Sequence, residues 1–242
     1  MAGLRLECFI PAYNEAADLE PNVVRLTAFC REALGDGFRV TIVDNGSTDG
    51  TAAVADSLAA SHPEVAAVHF PEKGRGRALR RSFLRSDAHW LGYMDADLST
   101  HLAALPTALA RLAGGADLVI GSRLLPGARI RRRLHREMLS RAYNALVRAV
   151  FGSVLSDHQC GFKFLTCEAC NELVARTQDD LWFFDTELLV LAQRARRRVD
   201  EIPVDWIEDL GSTVRIARTI VDDLRGIRRL RRRLSAAGGG LP

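Results

Sequence analysis

Short apolar runs alternate with longer segments of helical periodicity through residues 1–125, and this alternation is the strongest constraint on the fold. The apolar runs predict strands at residues 4–10, 38–43, 65–70, 90–95 and 117–120. Intervening segments such as 19–33 and 102–112 repeat apolar residues at helical spacing. Strands that alternate with helices predict an α/β domain with a mainly parallel sheet and helices on both faces.

Polar residues follow each predicted strand. They are residues 11–15, Asp44, residues 73–77, Asp95 with Asp97, and Arg123. Open parallel sheets bind ligands at the carboxyl ends of their strands. Because those ends meet at one edge of the sheet, the sequence predicts a polar site there.

The acidic pair after the run 90–94 is the candidate metal site. In a strand, residues two apart point to the same side, so Asp95 and Asp97 are predicted to converge on one cation. Carboxylate oxygens are the ligands that hard cations prefer. We therefore expect Mg²⁺ or Mn²⁺ at this point.

The composition is that of an ordinary globular protein, with 48% hydrophobic and 26% charged residues. The sequence has neither an apolar run of eighteen residues nor a signal peptide pattern at its start, which predicts a cytoplasmic location. Five cysteines in such a chain indicate reduced thiols. A zinc site formed by His158, Cys160, Cys167 and Cys170 is the less favoured interpretation, because strong zinc patterns have two tight pairs.

The second half of the chain is rich in arginine, with clusters at 129–136 and 225–233. Residues 129–151 and 214–234 predict basic amphipathic helices, and residues 202–207 predict a strand between them. Packing on the domain is the first expectation for the apolar stripe of the last helix, and contact with a membrane is the second. Residues 236–242 are expected to form a disordered tail.

Several motifs, taken in order, resemble those of the family 2 glycosyltransferases with the GT-A fold, the Rossmann-like fold of nucleotide-sugar transferases. They are residues 10–15 (Ile-Pro-Ala-Tyr-Asn-Glu), 43–51 (Val-Asp-Asn-Gly-Ser-Thr-Asp-Gly-Thr) and 94–98 (Met-Asp-Ala-Asp-Leu). Segments 74–80, 121–123, 159–163, 184–187 and 206–212 resemble those of polyprenyl- and dolichyl-phosphate sugar synthases. Gln-Cys-Gly-Phe-Lys at 159–163 is more similar to the glucosyltransferases than to the mannosyltransferases.

The resemblance implies one GT-A domain over residues 1–235, with a nucleotide-sugar half at 1–125 and an acceptor or membrane-facing half at 126–235. The residues that it implies for nucleotide-sugar binding are Pro11, Ala12, Tyr13, Glu15, Asp44, Arg75, Asp95 and Ala96. It also implies that Asp97 ligates the metal, with Asp95 beside the metal or the ribose. The family's glycine-rich loop usually has lysine where Arg75 stands and a small residue where Arg77 stands.

The activity implied is inverting transfer of glucose from UDP-glucose to a polyprenyl or dolichyl monophosphate. Candidates for the catalytic residues are Asp95, Asp97, Arg123, Lys163, Asp185 and Glu187; candidates for the acceptor-phosphate clamp are Arg123, Arg129, Arg131 and Lys163. Asp185 and Glu187 are expected near the sugar or beside the arginines, with a helix cap by Asp185 as the competing interpretation.

The partners implied are a nucleotide sugar, a lipid monophosphate and the cytoplasmic face of a membrane, to which the chain would bind peripherally. Many relatives have membrane-spanning segments that this sequence lacks, so a separate membrane protein or a homodimer is a further expectation. A GDP-mannose-dependent enzyme, another sugar and a soluble acceptor stay open. A haloacid-dehalogenase-like phosphatase is disfavoured, because that class normally places its nucleophile at the first strand and the two βα units before Asp95 would be unexplained. A non-enzymatic binder of nucleic acid or membrane is disfavoured because it leaves the acidic residues at the strand ends without a purpose; no nucleic acid is expected.

Overall fold

The structure, a computed structural model, describes residues 4–208, 216–238 and 241. The strands of the main sheet are β1 Leu6–Ala12, β2 Phe38–Asn45, β3 Val65–Phe70, β4 Trp90–Met94, β5 Leu118–Ser122, β7 Phe162–Thr166 and β8 Val199–Pro203. A small sheet contains β6 Ile130–Arg131 and β9 Trp206–Ile207. The helices are α1 Leu19–Leu34, α2 Thr51–Ser61, α3 Arg75–Phe83, α4 Ala104–Ala113, α5 Leu134–Phe151, α6 Cys167–Leu173, α7 Phe184–Arg194 and α8 Ile216–Ala236.

The main sheet has the order β3-β2-β1-β4-β7-β5-β8 and is parallel except for β7. The predicted mainly parallel sheet is therefore confirmed. β7 runs antiparallel to both β4 and β5, and Phe162 at its start lies opposite Met94 at the end of β4. The loop that enters β7 thus meets the edge at which the parallel strands end.

Two apolar layers cover the sheet. Successive residues of a strand face opposite sides, so Cys8 and Ile10 join one layer and Phe9 joins the other. The first layer contains the buried faces of α1, α2 and α4, and the second contains those of α3, α5, α6, α7 and α8. The expected helices on both faces of the sheet are present.

Two predicted elements of the second half are wrong. Residues 129–151 do not form one helix, because Ile130–Arg131 pairs in parallel with Trp206–Ile207 and α5 begins at Leu134. Residues 202–207 are not one strand, since β8 ends at Pro203 in the main sheet and β9 belongs to the small one. Their apolar periodicity fits a helix or a strand equally well, and pairing between distant segments decides the outcome.

Helix α8 is anchored by ion pairs and by one close approach. Arg229 pairs with Asp179 at 2.6 Å and Arg233 pairs with Glu187 at 2.5 Å. A Cβ built on Gly226 would lie 2.3 Å from Phe183 Cγ, so glycine lets the helix backbone approach that ring. The predicted start of this helix at residue 214 and the motif residues Gly211 and Ser212 lie outside the described residues.

The apolar stripe of α8 is divided. Ile227, Leu230 and Leu234 are buried against the second layer, while Ile220, Val221 and Leu224 are exposed. Packing thus accounts for the second part of the stripe. Within the described residues, every helix is too short or too polar to cross a bilayer.

Candidate functional site

Asp95 and Asp97 lie in the turn after β4, which ends at Met94. The prediction that strand alternation aims both carboxylates is therefore wrong; the turn positions them, closed by a 3.0 Å bond from Leu98 N to Asp95 O. Leu98 adopts a φ of +47°, in the left-handed region. A Cβ on Gly161 would lie 1.7 Å from Asp95 Oδ2, so the start of β7 has room for this carboxylate because residue 161 is glycine.

Arg75 connects the acidic turn to α7. Its Nη2 lies 2.8 Å from Asp95 Oδ1 and its Nη1 lies 2.7 Å from Asp185 Oδ2. The guanidinium carbon is 4.9 Å from the ring centroids of both Tyr93 and Trp182. Burial alone would lower the pKa of Arg75, but the two carboxylates raise it. A planar guanidinium suits this position between two aromatic rings better than a lysine ammonium group would.

Lys163 forms a buried ion pair with Asp185. Its Nζ donates to Cys160 O at 2.7 Å and lies 3.2 Å from Asp185 Oδ1, and the residue is 1% exposed. Burial lowers the pKa of Lys163 to about 8 and raises the pKa of Asp185 to about 6. The prediction that Lys163 clamps an acceptor phosphate is wrong, because the ammonium group is enclosed by the protein.

Arg123 forms a two-pronged ion pair with Asp157. Its Nε lies 2.7 Å from Asp157 Oδ2 and its Nη2 lies 2.9 Å from Asp157 Oδ1. Asp157 is fully buried, and the charge of Arg123 outweighs burial to hold the pKa of that carboxyl below its usual range. Sequence reasoning missed the role of Asp157, although it lies two residues before the motif at 159–163. The Asp157 carboxylate fixes the orientation of the Arg123 guanidinium group.

A cavity of about 210 Å³ lies beside Arg123, between α5, α7 and α8. It is lined by Arg123, Arg132, Arg136, Leu139, Ser140, Tyr143, Gln159, Trp182, Asp185, Thr219, Ile220 and Asp223. The lining combines three arginines with the apolar side chains of Leu139 and Ile220. Such a cavity suits an anion attached to an apolar chain.

Of the three arginines predicted to hold the acceptor phosphate, Arg123 lines the cavity. Arg129 and Arg131 are exposed and do not line it, whereas Arg132 and Arg136 do. Arg131 is the last residue of β6, and Arg136 lies in the first turn of α5. Arg132 lies 5.3 Å from the Trp206 ring centroid, and its Nε and Nη1 are buried without a hydrogen-bond partner among the described residues. Burial and the charge of Arg123 lower the pKa of Arg132.

Glu187 stabilises the fold and is not part of this site. One oxygen pairs with Arg233 at 2.5 Å, and the other accepts from the backbone N–H groups of Gln178 and Asp179 at 2.9 and 2.7 Å. Of the two predicted positions for Glu187, near the sugar or beside the arginines, the structure shows it beside Arg233. Asp185, two residues earlier in the chain, is the acid of α7 that pairs with Arg75.

The ends of β1 and β2 form the other part of the edge. Asn45 Nδ2 donates to Ala12 O at 2.6 Å, and Asn45 Oδ1 accepts from Gly74 N at 3.2 Å. This amide joins two strand ends to the loop before α3. The Lys73 Nζ lies 3.3 Å from the centroid of the Tyr13 ring. The predicted edge therefore exists, and Asn45 holds it together.

The remaining residues predicted to bind the nucleotide sugar lie along this edge. Pro11 is buried in β1, and Asp44 in β2 lies 3.4 Å from His69 Nδ1. Glu15 N donates to Thr51 Oγ1 at 2.8 Å, which fixes the backbone after Tyr13. Ala96 is buried, and its carbonyl accepts from Asn22 Nδ2 at 2.9 Å. The edge thus presents a ring, carboxylates and backbone groups together.

The acidic turn fits a cation that is shared with a phosphate ligand. The described residues contain no group of three His, Cys, Asp or Glu side chains that could hold a metal. Mg²⁺ often uses one or two carboxylates together with substrate phosphates, so a pair such as Asp95 and Asp97 is sufficient. Ser99 donates its N–H and hydroxyl to Asp97 at 2.9 and 2.5 Å, which orients this carboxylate.

The four residues considered for zinc do not form such a site. His158 Nδ1 lies 2.7 Å from Asn144 Oδ1, and its Nε2 lies 2.8 Å from Ser153 Oγ. Both ring nitrogens are thus engaged, and burial lowers the pKa of His158 to about 4. The cysteine at 160 is buried and lies 3.9 Å from Thr100 Oγ1. These groups have structural partners.

Solved structures with the same architecture include glucosyl-3-phosphoglycerate synthase from Mycobacterium tuberculosis in complex with Mn²⁺, UDP and glucosyl-3-phosphoglycerate. The TM-score is 0.69 at 20% sequence identity, and the match covers 97% of this chain and 80% of that one. Similarity at this level establishes the fold. The fold is GT-A, as the motifs predicted.

Sequence relatives agree with this assignment. The chain is 41% identical over 224 residues to glycosyltransferase AglD of Haloferax volcanii, covering 91% of this chain but 36% of AglD. It is 29% identical over 233 residues to the dolichyl-phosphate beta-glucosyltransferase of Saccharomyces cerevisiae, covering 88% of this chain and 70% of that protein. Residues 7–174 match the profile of Glycosyl transferase family 2. Fold, edge motifs and profile together show that the chain belongs to glycosyl transferase family 2.

Proposed function

We propose that the protein is an inverting, metal-dependent glycosyltransferase that moves glucose from UDP-glucose to a polyprenyl monophosphate. The observation that carries this proposal is the position of the cavity. Asp185 of its lining is connected through Arg75 to Asp95 in the acidic turn. Leu139 and Ile220 of its lining belong to the exposed apolar surface of α5 and α8. A donor at the sheet edge and a lipid phosphate in the cavity would therefore meet at one point.

The donor would lie along the sheet edge. Tyr13 and Asp44 would contact the nucleoside, and Arg75 would lie near the diphosphate. A divalent cation held by Asp97 with Asp95 would neutralise charge on the diphosphate leaving group. Arg75 is held between Asp95 and Asp185, so its charge is fixed in place before the donor binds.

The acceptor phosphate would bind to Arg123, Arg132 and Arg136 of the cavity lining. A phosphate monoester is already largely ionised at neutral pH, because its second pKa is about 6. Its oxygen can attack the anomeric carbon without a strong general base, while the bond from that carbon to the nucleotide diphosphate breaks. Attack from the side opposite the leaving group inverts the configuration and gives a β-linked lipid phosphate sugar.

A lipid acceptor requires the cavity to face a membrane. Most of the large apolar side chains that are exposed in the described part of the chain lie on α5 and α8. They are Leu134, Met138, Leu139 and Leu146 on α5 and Ile220, Val221 and Leu224 on α8. These residues, here called the apolar face, support peripheral binding to a bilayer. Exposed arginines such as Arg131 would add attraction to anionic lipid, at about 1 kcal/mol each.

The relatives support the same chemistry. The match to a dolichyl-phosphate beta-glucosyltransferase favours glucose and a lipid phosphate. The structural neighbour carries UDP and Mn²⁺, which supports a uridine nucleotide and a divalent metal, although its named product is a soluble phosphorylated compound. A soluble phosphorylated acceptor is therefore the second candidate.

The test is a panel of nucleotide sugars with two acceptors. UDP-glucose, UDP-N-acetylglucosamine and GDP-mannose are each incubated with protein, Mn²⁺ or Mg²⁺, and either a short polyprenyl phosphate or 3-phosphoglycerate. We expect glucose to enter the organic phase with the lipid acceptor, and EDTA to abolish the transfer. Transfer to phosphoglycerate alone would support the second candidate. Absence of transfer from every donor, by folded protein, would contradict both.

A further inference from the structure

Asp223 is a buried acid of the cavity that the mechanism above does not use. It is 4% exposed and lines the cavity from α8. Gln159 Nε2 donates to its Oδ2 at 2.9 Å, while its Oδ1 has no hydrogen-bond partner among the described residues. The close approach of α8 at Gly226, one turn further on, brings the carboxyl group to this position.

This arrangement costs stability. A buried polar atom without a partner loses the hydrogen bonds that it made to water. The cavity arginines form no ion pair with Asp223 in the part of the chain that the structure describes, and burial, together with Asp179 and Asp185, raises the pKa of Asp223 to about 7. Helix α8 is already anchored by Arg229 and Arg233. Stabilisation of the fold thus does not explain the acid.

The chemistry of the cavity separates two ligand groups. The arginines of the lining suit the acceptor phosphate, whereas the Asp223 carboxylate repels a phosphate and accepts hydrogen bonds from neutral hydroxyl groups. Beside Asp223 are the Gln159 amide and the indole of Trp182, which is 37% exposed. An acid, an amide and an aromatic face are suited to a neutral, hydroxyl-rich ring. The transferred sugar must lie between the donor diphosphate and the acceptor phosphate, and the cavity lining includes both Asp185, which pairs with Arg75, and the arginines proposed to hold the acceptor.

We propose that Asp223, oriented by Gln159, accepts a hydrogen bond from a hydroxyl group of the transferred hexose and thereby selects the sugar. This inference rests on the proposed function, because it places the sugar of the donor in the cavity. It assigns sugar recognition to α8, an element outside the strand-end motifs.

The test compares nucleotide and nucleotide-sugar binding in Asp223→Asn. Asparagine keeps the volume and can still accept from Gln159. Calorimetric titration with Mn²⁺ measures the Kd of UDP and of the nucleotide sugar that the wild type binds best. We expect Asp223→Asn to weaken sugar-nucleotide binding roughly tenfold or more and to leave UDP unchanged, because hydrogen bonds to charged groups are among the stronger ones. Asp222→Asn, on the same helix but outside the cavity lining, is the matched control and should change neither.

Deoxy analogues of the sugar identify the hydroxyl group. In the wild type, removal of the recognised hydroxyl should weaken binding about as much as Asp223→Asn does, and in Asp223→Asn the same removal should have little further effect. Additive losses at every hydroxyl position would overturn the inference. So would an Asp223→Asn protein with wild-type sugar binding but a lower melting temperature, which would indicate a structural role.

The two proposals fail in different ways. If the wild type binds or transfers a nucleotide sugar and Asp223→Asn does so equally well, only the role of Asp223 is contradicted. A folded wild type that binds no nucleotide sugar in the panel contradicts the proposed function, and the inference with it.

Discussion

Arg131 and Arg132 are neighbours in the chain with different environments. Arg131 is exposed, whereas Arg132 lines the cavity, faces the Trp206 ring and has two buried nitrogen atoms without hydrogen-bond partners in the described structure. A buried guanidinium with unused donors is ready to bind an anion without moving. A comparison of variants at these two positions therefore distinguishes a direct contact with the acceptor from a general effect of positive charge.

Replacing each arginine by glutamine tests this difference. We expect Arg132→Gln to raise KM for a polyprenyl phosphate about 10- to 100-fold, since a charge-assisted bond contributes about 1.5–3 kcal/mol. Arg131→Gln should change it less than about threefold in detergent micelles, which carry no anionic lipid. The measurement is steady-state transfer, with thermal unfolding as the check on folding. Equal effects of the two variants would contradict the assignment.

Sequence reasoning found the residues whose position depends on strand ends. Asp95, Arg75 and Arg123 meet near one edge because parallel strands end together. Asp157 and Asp223 were missed, because their roles depend on partners 34 and 64 residues away in the chain, Arg123 and Gln159. No local pattern distinguishes such acids from solvated ones.

At the scale of elements, the division of α8 is the main finding. Its second part is buried with Ile227, Leu230 and Leu234, and its first part is exposed at Ile220 and Leu224. Amphipathic periodicity predicted the helix and its stripe but gave no means to say which part packs. The pairing of β6 with β9 could likewise not be predicted, because a strand of two residues is too short to show an alternation of apolar and polar residues.

The apolar face gives a prediction for membrane binding. Leu224→Glu should weaken binding to vesicles with an anionic lipid fraction about tenfold, because burial of a leucine side chain contributes about 1.5–3 kcal/mol. Met138→Glu, at a position that is 71% exposed on α5, should act in the same direction. Val24→Glu on α1 is the control, since Val24 is 41% exposed and lies outside this face. Sedimentation with vesicles measures the effect, and equal binding by all three variants would contradict it.

At the scale of the whole molecule, buried titratable groups couple stability to pH. The folded-state pKa of Asp223 is about 7, above the ordinary value of 3.8, so the folded state holds this proton more tightly than the unfolded chain does. The contribution of Asp223 is therefore most favourable below pH 3.8 and is lost as pH rises to about 7. His158 acts in the opposite sense, because burial lowers its pKa and the stability that it contributes is lost as pH falls from about 6.5 to about 4.

Asp223→Asn isolates the first effect. Relative to the wild type, the free energy of unfolding of this variant should rise between pH 4 and pH 7 and then stay constant. The gain should reach at most about 4 kcal/mol, because each unit by which a pKa differs between the folded and unfolded states corresponds to about 1.36 kcal/mol. Burial is the main cause of the raised pKa of Asp223; the carboxylates of Asp179, Asp185 and Asp222 raise it further, and the hydrogen bond from the Gln159 amide lowers it. Arg123, Arg132 and Arg136 are the cationic residues of the same cavity. Urea unfolding across this pH range measures the gain. A difference that does not change with pH would contradict the assignment.

The contact between Gly161 and Asp95 makes two distant motifs mutually dependent. A methyl group at position 161 would occupy the place that the Asp95 carboxylate has in this structure, so alanine there would require the carboxylate to turn away. Such a turn would change the ion pair between Asp95 and Arg75. A substitution at 161, in the segment before β7, therefore acts on the geometry of the turn after β4, although the two positions lie 66 residues apart in the chain.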